Sequence, residues 1–179
     1  MTSAAANKHI LLCGERGVGK STLIQKLLKA NALPVSGFYT ERLKADTSGF
    51  HPIYIHSAGE SARMYTEENL VGTCDAKVHN VRLSVFDTLG VQYLRAPGGL
   101  IVMDELGFME ARAAGFTKAV FAALDEHTPV IAAVKARTDV PFLNAVRAHE
   151  NCRVYTVTAE NRDALYEALL PVIEMWNQK

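Results

Sequence analysis

Residues 14–22 read Gly14-Glu15-Arg16-Gly17-Val18-Gly19-Lys20-Ser21-Thr22, between a short apolar run at 10–13 and a stretch of helical periodicity. Three glycines at that place let the chain curl from a strand into a helix, because glycine enters the positive-φ region without steric cost. Residues 14–21 satisfy the pattern G-x-x-x-x-G-K-[ST]. Its residue types follow from the physics of anion binding. A curled backbone points successive N–H groups inward at phosphate oxygens, and a helix starting near Lys20 adds the positive end of its dipole. Lys20 supplies a point charge for the β- and γ-phosphates, and the Ser21 hydroxyl is suited to coordinate Mg²⁺. Gly14 through Thr22 are therefore the expected nucleotide-binding residues. The alternative is a glycine-rich turn with no ligand. The flanking strand and helix patterns, which the phosphate-binding motif requires, speak against it.

Such a loop brings no base of its own. In open α/β sheets ligands sit at the carboxyl ends of the parallel strands, and residues 100–105 end an apolar run in two adjacent carboxylates. Asp104 is suited to hold Mg²⁺ through its water shell, as a Walker-B aspartate does. Glu105, one residue on, is expected on the other side of the strand axis, where it polarises a water toward the γ-phosphate. Lys20, Asp104 and Glu105 are the candidate catalytic residues, and Ser21 and Asp104 the candidate metal ligands. The competing explanation is a solvated strand end.

Around these motifs the chain alternates. Leu23, Ile24, Leu27 and Leu28 share one helical face, with Gln25, Lys26 and Lys29 opposite, and Asn31 and Pro34 end that helix. Residues 37–43 and 50–56 read as two strands joined by the turn 45–49, a hairpin. Residues 57–80 are polar and long for a loop, the signature of a lid or binding loop. Residues 81–86 read as extended, with Asp87 capping a short helix through Leu94. A helix carrying Phe116, Val120 and Leu124 precedes a strand at 130–134. A helix opened by Pro141, a strand at 153–157 and a last helix with Leu165, Leu169, Val172 and Trp176 on one stripe follow. The expected fold is α/β of the P-loop type: a mainly parallel sheet with helices on both faces plus an inserted β-hairpin. With no repeat or linker, residues 1–179 read as a single domain.

Lys+Arg and Asp+Glu both number 19. That balance argues against nucleic acid or an anionic membrane surface as partner, both of which favour a basic excess. No stretch approaches the roughly 20 apolar residues of a membrane span, and the apolar patch in residues 1–14 is too brief for a signal peptide. Cys13, Cys74 and Cys152 are odd in number and widely spaced, which fits a reducing, cytoplasmic setting. The six histidines show no metal-ligand spacing. A monomer is plausible, and the sequence leaves the oligomeric state open.

The order GERGVGKSTL, GFYTER, VMDELGFME and TAENRD resembles the THEP-type nucleoside-triphosphatase family, called cancer-related nucleoside-triphosphatase in animals, over nearly the whole chain. The resemblance implies Mg²⁺-dependent hydrolysis of ATP, GTP and other nucleoside triphosphates to diphosphate and phosphate, with loose base preference and slow turnover. It carries nucleotide binding over to residues 14–21 and the segment around Asp104 and Glu105. One departure is visible: the family usually has lysine where this chain has Phe108.

Weaker candidates remain. Tyr39, Thr40 and Glu41 could face the γ-phosphate, with Glu41 as a further Mg²⁺ contact, against the alternation of an ordinary strand. Asn161, Arg162 and Asp163 stand where a base could stack, although capping by Asn161 explains them equally well. Arg16, Arg112 and Arg137 are candidates for stabilising γ-phosphate charge, against the default of surface arginines. Two other functions compete. In a small-molecule or nucleotide kinase an acceptor replaces water, but the lid-like segment 57–80 carries only Arg63. In a non-enzymatic nucleotide switch, residues 104–107 fit D-x-x-G, but the guanine-reading Asn-Lys-x-Asp is absent.

Overall fold

In the computed structural model residues 9–178 are described, so the reading of the N-terminal segment falls largely on residues outside them. Strand β1 (His9–Gly14) leads into α1 (Lys20–Ala30). Four strands follow: β2 (Val35–Arg42), β3 (His51–Ser57), β4 (Leu70–Cys74) and β5 (Val78–His79). A helical stretch runs through α2 (Leu83–Val85), a π-helical turn (Phe86–Gly90) and α3 (Val91–Arg95). Then come β6 (Leu100–Leu106), a 3₁₀ turn (Glu110–Arg112), α4 (Ala114–Asp125) and β7 (Val130–Lys135). The last elements are α5 (Pro141–Arg147), β8 (Cys152–Thr156) and α6 (Arg162–Trp176).

One eight-stranded sheet has the order β5-β4-β3-β2-β6-β7-β1-β8. The five strands from β2 to β8 along that order are parallel, and β3, β4 and β5 continue antiparallel beyond β2. Because successive strand residues face opposite sides, Ile10, Leu12, Val102 and Ile131 pack toward α1 and α6 with Leu23, Ile24, Leu169 and Trp176. Leu11, Met103, Ala132 and Val134 pack on the other face with Phe116, Val120 and Leu143. Both faces are covered, so the central strands read as continuous apolar runs. The expected α/β architecture is the observed one.

Gly37 shows how tightly the two kinds of pairing join. It lies inside β2 at φ 97°, and a Cβ there would stand 2.0 Å from the Val102 carbonyl oxygen of β6. Only glycine fits that approach.

Two local expectations are overturned. The segment 57–80 is not one loop: β4 and β5 lie within it, so the insertion is larger than a hairpin. Residues 81–86 are not a strand, because the chain is helical from Leu83. The apolar alternation at Val81, Leu83 and Val85 imitates a strand, yet Val85, Phe86 and Leu94 enter the core from a helix. Asp87 opens no helix of its own. Its carboxylate accepts the Phe116 N–H at 2.9 Å and so satisfies a first-turn donor of α4.

Candidate functional site

The turn from β1 into α1 is held open by Gly17 at φ 83° and Gly19 at φ 102°. Gly19 is the residue before α1, whose first turn carries no acidic side chain, so the positive end of its dipole stays unneutralised. Lys20 is only 6% exposed. Its Nζ donates to the carbonyls of Gly14 at 2.8 Å and Glu15 at 2.9 Å, which folds the ammonium back over the loop. Arg162, at the start of α6, lies against Gly19: a Cβ there would be 2.6 Å from its guanidinium.

The acidic strand end meets this loop. Ser21 Oγ donates to Asp104 Oδ1 at 2.8 Å across 83 residues of sequence. Lys20 Nζ lies 3.4 Å from Glu105 Oε2, and Lys135 Nζ at the end of β7 lies 3.7 Å from Glu105 Oε1. Strict alternation predicts the two acids on opposite sides of the strand. Instead both reach the loop, because the register of β6 against β7 slips between Asp104 and Leu106 and leaves Glu105 as the extra residue of a bulge. The peptide joining the two acids is cis.

Burial pushes the Asp104 carboxyl up to about 6, and the charge of Glu105 adds to it; the Ser21 hydrogen bond and Lys20 oppose it. Glu110 is a second buried acid, absent from the sequence-based candidates. Its carboxylate accepts the Gly107 N–H and braces the turn that leaves β6. Burial pushes it up to about 7 against that bond and Lys135.

A cavity of about 230 Å³ opens over the loop, lined among others by Gly14, Glu15, Arg16, Lys20, Glu105 and Arg137. Arg16 and Arg137 thus join the acids, while Arg112 lines neither this cavity nor the larger one beside it. Val18 leans on the core and Thr22 is exposed on α1. Of the β2 candidates, Thr40 lines the larger cavity. Tyr39 instead stacks on His56, with the Arg63 guanidinium 4.5 Å from its ring centroid. Glu41 accepts hydrogen bonds from Arg63 at 3.1 Å and Tyr65 at 2.9 Å, so its carboxylate is already engaged by side chains of the 57–69 segment. Asn161 does not cap α6: its amide turns back to Thr156 and Thr158. Phe108 carries Lys135 and Arg137 at 5.0 and 4.9 Å from its ring centroid.

Ser21 and Asp104 offer hard oxygen donors beside a phosphate-sized cavity, a set that fits Mg²⁺ bound together with phosphates. No group of three His, Cys, Asp or Glu side chains that could hold a metal by itself exists among the described residues.

Known proteins match the chain over most of its length. A family described as NTPase matches residues 9–170. The mouse cancer-related nucleoside-triphosphatase homolog is 29% identical, the match covering 94% of this chain and 97% of that one. Nucleoside-triphosphatase THEP1 of Thermotoga petrophila is 30% identical, with 92% of each chain covered. The crystal structure of THEP1 from Aquifex aeolicus superposes with a TM-score of 0.68 at 23% identity, over 93% of this chain and 99% of that one.

Proposed function

The chain belongs to the NTPase family, and on that premise we propose that it hydrolyses nucleoside triphosphates to nucleoside diphosphate and phosphate, with Mg²⁺, at residues 14–22 and 104–105. The observation that carries the reading is the hydrogen bond from Ser21 to Asp104, beside the contact of Lys20 with Glu105. Ser21 and Asp104 are the residues to hold Mg²⁺, which neutralises charge on the phosphate oxygens when bound. The backbone N–H groups of Gly14 to Gly19 and the α1 terminus hold the phosphates. Lys20 leaves its carbonyl partners for the β- and γ-phosphates. Glu105 accepts a hydrogen bond from the attacking water and aligns it with the γ-phosphorus.

Slow turnover fits a Glu105 carboxylate that two lysines hold, since an oxygen engaged in an ion pair is less free to take up the attacking water. Loose base preference fits a site whose built contacts all address phosphate. The charge balance favours a protein that works without nucleic acid or a membrane surface. No described helix is long and apolar enough to cross a membrane. The free thiols of Cys13 and Cys74 suit the cytoplasm. One sheet built from strands along the whole described chain supports a single domain over 1–179.

The test is steady-state phosphate release from ATP, GTP, CTP and UTP by the purified chain, with and without Mg²⁺. All four should be hydrolysed, and only with the metal. Phosphate appearing only after a second substrate is added would overturn hydrolysis as the activity.

A further inference from the structure

Beside the phosphate cavity lies a larger one of about 560 Å³, between the antiparallel strands and the ends of β6 and β7. Arg16, Glu105, Lys135 and Arg137 line both, so the two spaces meet at the Glu105 carboxylate. Its volume lies in the range of small-molecule sites.

The charges around it are lopsided. In a chain with zero formal charge, this wall gathers Arg16, Arg42, Lys77, Lys135 and Arg137 against the acids Asp75 and Glu105. Both acids already have partners: His79 at 2.9 Å from Asp75, and the two lysines on Glu105. Arg16 and Lys77 enter no ion pair among the described residues. Unspent positive charge in a concave site recruits an anion. The remaining wall is apolar, formed by Ile53, Val78, Phe108 and Met109. Phe108, with two cations over its ring, gives a flat surface and a charged rim together.

We propose that this cleft is a second-ligand site for a small phosphate monoester, a nucleoside monophosphate or a sugar phosphate, held beside the terminal phosphoryl group of the triphosphate. The ester group meets the basic wall and the carbon skeleton meets the apolar one. The site rests on Glu105 as the residue that orients water. An occupant crowds that water out, and phosphate release falls when the cleft is filled.

The test uses the full chain with AMP, ribose 5-phosphate and uncharged ribose as probes, in the presence of saturating Mg²⁺ and ADP so that the loop is occupied. Backbone amide chemical shifts of Thr40, Cys74 and Lys77 are followed. Both phosphate esters should shift these amides saturably, and ribose should not. The tighter of the two assigns the site to nucleotides or to sugar phosphates. Lys77→Glu, at an exposed residue away from the catalytic groups, should weaken that binding by about tenfold and leave phosphate release without probe unchanged. In wild type the esters should lower phosphate release from ATP, and in Lys77→Glu the same concentrations should lower it less. No shifts at these amides, equal shifts with ribose, or unchanged affinity in Lys77→Glu would each overturn the site. A wild-type chain that releases no phosphate at all would sink the hydrolytic reading, while the amide shifts would still decide this one.

Discussion

Asp104 and Glu41 are both carboxylates near the carboxyl ends of adjacent parallel strands, β6 and β2, and the molecule treats them in opposite ways. Asp104 is nine-tenths buried, and burial pushes its carboxyl up to about 6. Burial raises Glu41 too, but the hydrogen bonds from Tyr65 and Arg63 outweigh it and hold that carboxyl below its ordinary range. The first sits in the parallel half of the sheet, between helices, where backbone and core fix every neighbour. The second faces the antiparallel half, where a few side chains, Arg63, Tyr65 and His56, do the fixing. A buried acid with one hydroxyl partner is unsatisfied in a way that a divalent cation corrects. A surface acid with several partners is already satisfied. Under the proposed function, the chemistry belongs to the parallel half and the proposed second-ligand cleft to the exposed half beside it.

Substitutions can break or sharpen this division. The largest effect is expected for Lys20→Ala, which removes the charge from the phosphate site and should abolish binding of Mg·ATP in equilibrium titration. Retained binding would mean that the loop amides alone suffice. Next is Gly37→Ala, at the seam of the two halves. A methyl group would collide with the Val102 carbonyl at a positive φ, and urea unfolding should show a loss of about 2–4 kcal/mol. A loss near zero would show that the seam yields.

Glu110 tests the buried side through pH. Its folded-state pKa is raised from 4.5 to about 7, so the folded state prefers the neutral acid. The stability this confers is full below the ordinary pKa and lost as pH rises through about 7. Asp104 adds a change of the same sign at lower pH, between 3.8 and about 6. Glu110→Gln should flatten the decline in unfolding midpoint that the metal-free wild type shows between about pH 5 and pH 8. An equal decline in both proteins would place its cause elsewhere. The smallest effect is expected for Glu41→Gln. It should change steady-state phosphate release by less than about twofold, the usual scale of a partly exposed contact. A tenfold fall would bring the antiparallel half into the chemistry.

Residues 14–22 were legible because the whole device is contiguous: the glycines, the lysine and the hydroxyl announce their roles within one turn. The strand end at Asp104 and Glu105 was half legible. Its apolar run and its acids were visible, but their convergence depends on a bulge against β7, and pairing with a distant strand leaves no local mark. Lys135 and the bracing role of Glu110 were not legible, since each is a single charge at the boundary of an element. A lone lysine after an apolar strand and a glutamate after a methionine most often mean solvent. Strands β4 and β5 hid in polar text because β5 is only two residues long and β4, though it buries Val71 and Cys74, is a five-residue run between polar and charged residues. Of the helical stretch 83–95 only the first turn hid, because its alternating apolar residues matched a strand until Phe86 and Asp87 broke the period.

The central claim is that the loop and the acidic strand end act on one terminal phosphoryl group, with Glu105 orienting the nucleophile. Glu105→Gln keeps the shape and removes the base. Measured side by side on the purified variant, Mg·ATP binding should be retained, while phosphate release should fall by about two to four orders of magnitude. Release at the wild-type rate would contradict the account.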